Sequence, residues 1–147
     1  MITTVHVISG GLLGESVGDP FFAFAAGIIL HFILDAIPHF DNVLEDGRWT
    51  WKQWLFTSVD LLVMILLIVS LKPELSLSSP FLWGAFGGLL PDILDNVPFW
   101  RKMFRSSYLG GKMHAFHERI HPKKEPGIFW GFATQIAVLI FFYLIAR

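Results

Sequence analysis

Residues 20–40 read PFFAFAAGIILHFILDAIPHF, and residues 80–100 read PFLWGAFGGLLPDILDNVPFW. Aligned without a gap, nine of the twenty-one positions are identical: Pro20/Pro80, Phe21/Phe81, Ala25/Ala85, Gly27/Gly87, Leu30/Leu90, Ile33/Ile93, Leu34/Leu94, Asp35/Asp95 and Pro38/Pro98. Apolar composition raises chance identity, but it does not bring a Gly, an Asp and two Pro into register. The pair therefore reads as an internal repeat. Each copy predicts an apolar helix, entered at a Pro and ended at ILD-x-x-P, with an acid one turn before the terminating Pro.

The rest of the chain is too apolar for a soluble domain of its size. Of its 147 residues 54% are hydrophobic, including 15 Phe and 6 Trp. Charged residues make up 16%, against about 25% in soluble domains. A small globule leaves much of its surface exposed, so this surplus points to a bilayer. The length predicts a single membrane domain over residues 1–147. A net charge of −1 gives no support to a nucleic-acid partner, and no Cys is present to make a disulfide, a thiolate metal site or a nucleophile. No Lys or Arg precedes the first apolar stretch, so that stretch does not have the form of a signal peptide.

In order, residues 2–14 predict a short apolar helix carrying His6, and residues 15–19 a polar turn. Residues 21–37 form the first repeat helix and 38–52 a polar loop. Residues 54–71 are an apolar span interrupted by Asp60, and residues 81–97 the second repeat helix. Residues 100–126 are basic, non-spanning and rich in His, and residues 127–147 hold the cleanest span. The fold class is thus an all-α integral membrane protein, with about four transmembrane helices plus the short N-terminal one, built as parallel repeated helix pairs.

Basic residues set the sidedness. Arg48, Lys52, Arg101, Lys102, Arg105, Lys112, Arg119, Lys123 and Lys124 fall on one side, against Lys72 and Arg147 on the other. The basic side is predicted to be cytoplasmic. The same side collects the ends of both repeat helices, His6, the first third of the Asp60 span and the His-bearing segment.

That convergence is where chemistry is expected. His31 and Asp35 are four apart on one helix face, and Asp92 and Asp95 three apart on another. His39 and Asp41 follow Pro38, where His39 reads equally as an interfacial loop residue. Pro91 with Gly87-Gly88 predicts a kinked, closely packed helix. KMHAFHERIHP spaces His114, His117 and His121 for one stripe of a short helix. Imidazoles with carboxylates are the donor set for Zn²⁺, with Mn²⁺ or Fe²⁺ as alternatives. Singly each residue has a plainer reading: His31 as a core histidine, the His stripe as a headgroup-facing turn, Asp60 as a partner of a ligand His. The candidate metal ligands are His6, His31, Asp35, Asp92, Asp95, His117 and His121, and the candidate catalytic carboxylates Asp35, Asp92 and Asp95.

An apolar opening with His6, then Gly88-Leu89-Leu90-Pro91-Asp92-Ile93-Leu94-Asp95, then His117 to His121 in HERIH, resembles the YdjM-type membrane-bound metal-dependent hydrolases. That family shows LPDIDH and a later HRG-x-TH; here ILDN and HERIH stand in those places. The resemblance implies a small integral membrane hydrolase of a prokaryotic inner membrane.

Together these readings predict metal-dependent hydrolysis at the cytoplasmic membrane surface, on a phosphoester or lipid-linked bond, with membrane lipids as neighbours and no nucleic-acid partner. Arg101, Lys102 and Arg105 fall at headgroup level, as anchors or as anion contacts. The alternatives are a small metal-ion or proton-handling transporter, which would need polar groups through the full membrane thickness, and a membrane adaptor.

Overall fold

A computed structural model describes residues 1–41, 49–72, 74–123 and 126–147; most of the predicted loop 38–52 lies outside them, as do Arg48 and Lys124 of the basic count. The described chain is helical: α1 (Thr3–Val17), α2 (Pro20–Asp35), α3 (Trp51–Leu71), α4 (Pro80–Asn96), α5 (Arg101–Ser106), α6 (Tyr108–Ile120) and α7 (Ile128–Ile145). Helix α1 runs one turn further than predicted, absorbing Glu15 to Val17, and ends where Gly18 takes the left-handed conformation at φ 80°. Asp19 then caps α2, accepting from the Phe22 amide at 3.0 Å, with Pro20 in the first turn.

Helix α1 is the centre of the molecule. Thr4 to Leu12 are buried without a break, and α2, α3, α4 and α7 all pack against it. The contact with α4 is made backbone to backbone: a Cβ on Gly84 would strike the Gly10 carbonyl, and one on Gly88 the His6 carbonyl. Small residues that let helices touch in this way are the usual means of packing inside a membrane, where lipid supplies no hydrophobic drive between helices. Helix α2 joins from another side, with Gly27 against the Gly84 carbonyl and Gly87 against the Phe24 carbonyl. Phe24 meets Trp83 and Phe86, and His31, two turns on, meets Gly88 and Asp92, so α2 and α4 run parallel to each other, while the Gly84–Gly10 and Gly88–His6 contacts set α1 antiparallel to both. Helix α4 is continuous through Pro91.

Among the described residues, two helices are long and apolar enough to cross a membrane, α3 and α7. Neither is a core helix. In α3 only Gln53 and Asp60 are buried, and in α7 only Gly131, Gln135 and Phe142. Leu55, Leu62, Leu66, Phe129, Ile136 and Leu144 are exposed, a surface suited to an apolar solvent. The expectation of four spans is therefore corrected to two candidates among the described residues. Helices α2 and α4 have 16 and 17 residues, roughly 25 Å at 1.5 Å per residue, against a hydrocarbon core of about 30 Å. The predicted helix pairs do not recur either: α3 and α7 both pack on α1, with no contact to the repeat helix that precedes each. The two similar stretches form two parallel inner helices, α2 and α4.

Asp60 also differs from its prediction. It caps α1 from across the bundle, accepting from the Thr3 amide at 2.7 Å, the Thr4 amide at 3.2 Å and the Thr4 hydroxyl at 2.5 Å. Ile2, at the helix start, has no side chain that can do this. Gln135 of α7 completes the cap by accepting from the Ile2 amide at 3.0 Å while donating to the Phe40 carbonyl at 3.0 Å. Asp60 is nine residues into α3 and Gln135 seven into α7. The start of α1 thus lies about 14 Å and about 10 Å inside the ends of the two candidate spans, at 1.5 Å per residue.

Candidate metal centre

At that level the inner helices deliver their polar side chains to one point. The first turns of α1 bring His6, and the last two turns of α2 bring His31 and Asp35. The turn past Pro38 brings His39 back over the helix end. Asp35 is the focus. Its Oδ1 faces the Met1 α-amine at 2.5 Å, His6 Nε2 at 3.0 Å and His39 Nε2 at 3.9 Å. Its Oδ2 faces His31 Nε2 at 3.1 Å and His117 Nε2 at 2.7 Å. Asp35, His6, His31 and His39 are each 2% exposed or less, so these charges and lone pairs have no water to moderate them.

Two of the rings have their tautomer set by the backbone. His31 Nδ1 donates to the Gly88 carbonyl at 2.8 Å, and His39 Nδ1 to the Ile37 carbonyl at 2.6 Å. The Gly88 carbonyl sits beside the point where Pro91, lacking an N–H, loosens the α4 ladder. With Nδ1 engaged, the Nε2 of a neutral imidazole is a bare lone pair. The Nε2 atoms of His6, His31 and His39 are all buried and have no hydrogen-bond partner. Lone pairs facing a carboxylate within 4 Å repel it, and the arrangement becomes favourable with a cation among them. His31 and His39 are held as metal-ligating histidines usually are, one nitrogen on a protein acceptor and the other free for the metal, whereas both ring nitrogens of His6 lack a hydrogen-bond partner.

The segment from α5 to α6 folds back across the ends of α2 and α4. His117 bridges the two, with Nε2 on Asp35 and Nδ1 3.5 Å from Asp95 Oδ2. Burial lowers its basicity, but hydrogen bonds to Asp35 and Asp95 outweigh this and push its pKa up to about 10. For His39 burial prevails and its pKa is lowered, which favours the neutral ring.

Among the described residues, three sets of side chains have ligand atoms within 4.8 Å of one another: His6, His31 and Asp92; His31, Asp35 and His117; Asp35, His39 and His121. Six of the seven predicted ligands belong to them. Asp95 does not. Its Oδ1 accepts from Arg105 Nε at 2.8 Å and its Oδ2 from His114 Nδ1 at 3.0 Å, which makes it the carboxylate that orients His117. Arg105 is accordingly paired with Asp95 within the protein, its side chain still 32% exposed. His121 goes to Asp41, 3.7 Å away, and to the His39 ring, 5.0 Å between centroids, and not towards Asp92 and Asp95. Asp92 is half-buried, with Oδ1 accepting from Asn96 at 2.8 Å.

His39, which in sequence reads equally as an interfacial loop residue, is a further ligand candidate. Its signal was the spacing of His31, Asp35 and His39, four residues apart each time, which reads as one continuous face once the Pro38 turn is seen to keep that course. No family model, curated protein or solved structure matches this chain.

Proposed function

We propose that this chain is a membrane-embedded, metal-dependent hydrolase of the YdjM type, acting on a phosphoester or lipid-linked bond at the cytoplasmic face of a prokaryotic inner membrane. The observation that carries this reading is the set of three buried, partnerless Nε2 atoms directed at Asp35. The donor set is nitrogen and carboxylate oxygen throughout, which suits Zn²⁺ and, after it, Mn²⁺ or Fe²⁺. When bound, such a metal supplies Lewis acidity and a water acidified towards neutral pH.

The chain's own groups divide the remaining work. Asp35, His6, His31 and His117 hold the centre. Asp95, fixed by Arg105 and His114, keeps the His117 ring in place. Asp92, half-buried and steadied by Asn96, is the carboxylate placed to take the proton of an attacking water. The hub excludes water from the inner side, since Val5, Ile8 and Leu12 of α1 are buried beneath the site. At the far end of the bundle Lys72 pairs with Glu15, and the polar groups between the two ends are few, which suits a one-sided site better than a transport path.

The test is hydrolysis by detergent-purified protein of p-nitrophenyl phosphate, bis(p-nitrophenyl) phosphate and a phospholipid in mixed micelles. Activity towards at least one, abolished by EDTA, restored by Zn²⁺ or Mn²⁺ and lowered at least a hundredfold in Asp92→Asn, is the expected result. Activity unaffected by EDTA would refute the reading.

A further inference from the structure

We propose that the cluster holds two divalent cations, with the Asp35 carboxylate bridging them through its two oxygens; this rests on the metal-dependent reading above and deepens it. One cation takes Asp35, His31 and His117. The other takes Asp35, His39 and His121. Each set has its ligand atoms within 4.8 Å of one another, and Asp35 is their only common member.

The geometry of Asp35 separates the two positions. Oδ2 is turned to His31 and His117, at 3.1 and 2.7 Å. Oδ1 is turned to His39 at 3.9 Å and to His6 at 3.0 Å. Each set also contains one imidazole fixed through its Nδ1 by a backbone carbonyl, Gly88 for His31 and Ile37 for His39. The fold has therefore spent a separate orienting contact on each side of the carboxylate. Both rings end in a buried Nε2 without a hydrogen-bond partner.

Donor count argues the same way. His6, His31, His39, His117, His121 and Asp35 are six donors, and Zn²⁺ in proteins is almost always served by about four. One centre of four ligands leaves buried imidazoles unused, whereas the two sets sharing a carboxylate employ all of these donors but His6, whose Nε2 lies 3.0 Å from Oδ1. Asp92, in reach of His31 at 3.9 Å, and Asp41, 3.7 Å from His121, place a further carboxylate beside each position. They add the negative charge that a second dication needs. The Met1 α-amine also donates to Oδ1; a cation there displaces that contact or takes the amine nitrogen as another donor. The ligand class is a borderline divalent transition metal suited to imidazole and carboxylate.

The experiment loads the full chain in detergent with Mn²⁺ alone, removes the excess, and counts metal per chain by mass spectrometry alongside electron paramagnetic resonance. Two Mn²⁺ per chain with an exchange-coupled spectrum is the expected result. His39→Ala/His121→Ala should fall to one Mn²⁺ with an uncoupled spectrum, its helicity by circular dichroism unchanged. One Mn²⁺ per wild-type chain overturns the pair while leaving the hydrolase reading standing. Two retained in the double variant overturns this assignment of ligands. No metal at all removes both readings together. If the double variant fails to fold, stoichiometry and coupling in the wild type decide alone.

Discussion

The two similar stretches, residues 20–40 and 80–100, end in the same ILD-x-x-P and do opposite things with it. Asp35, in the first stretch, is surrounded by imidazoles and an amine and makes no ion pair with Lys or Arg among the described residues. Asp95, in the second, is locked to Arg105 and His114. The difference arises at neighbouring positions. His31 and His39 of the first stretch align with Pro91 and Phe99 of the second, and Phe32 aligns with Asp92. One stretch has the nitrogen ligands; the other has a helix-loosening proline and a second carboxylate. An identical acid at an identical helix end thus becomes the focus of the cluster in one place and an orienting group in the other, and the residues four before and four after decide which.

Stability should separate them most. Asp35→Ala leaves the Met1 amine and His117 buried without their shared counter-ion, and breaking a buried pair by removing one partner costs about 3–5 kcal/mol. Asp95→Ala leaves Arg105, whose side chain is 32% exposed, able to turn to water. Thermal melting should therefore show a much larger loss for Asp35→Ala, and equal losses would dissolve the distinction.

Where the stretches are alike, substitutions should act alike. Gly27 and Gly87 are equivalent in sequence, and a Cβ at either would meet backbone carbonyl, of Gly84 and of Phe24 respectively. Gly27→Ala and Gly87→Ala are each expected to destabilise by about 1–3 kcal/mol, as overpacking does. Gly127→Ala, with nothing within 4 Å of the added carbon, is the control that should melt close to the wild type.

The smallest effect concerns His117, the side chain that touches both stretches. Its folded pKa of about 10 stands above the ordinary 6.5. Its ion pairs therefore contribute fully below about pH 6.5, and that contribution is lost as pH rises through about 10. In EDTA the melting temperature should fall across this window, and His117→Gln should flatten the fall. Metal affinity should move the other way, rising with pH because His117 must shed its proton to ligate. An affinity independent of pH between 6.5 and 9 would remove His117 from the ligands.

Much of the site was legible because its elements are local. The i, i+4 pair of His31 and Asp35, the terminating prolines and the basic, His-rich segment after α4 all read directly from spacing. Three things did not. The central place of α1 depends on glycines of two helices some seventy residues apart, and apolarity alone does not separate a glycine-packed hub from a lipid-facing span. Asp60 looked like a partner for a histidine because nothing in its own helix shows that Thr3 and Thr4 lack a local cap. Gln135 sits in a stretch so apolar that a single amide carries no signal, yet it ties the start of α1 and the body of α7 to the turn holding Phe40.

The most direct test of the central claim is the metal content of wild type, Asp35→Ala and Asp95→Ala, each loaded with excess Zn²⁺ and desalted. The account predicts stoichiometric zinc in the wild type and none in Asp35→Ala. Asp95→Ala should still fill, with affinity lowered about 10–100-fold, as when an orienting partner of a ligand is removed. Zinc retained in full by Asp35→Ala, or lost equally from both variants, would contradict it.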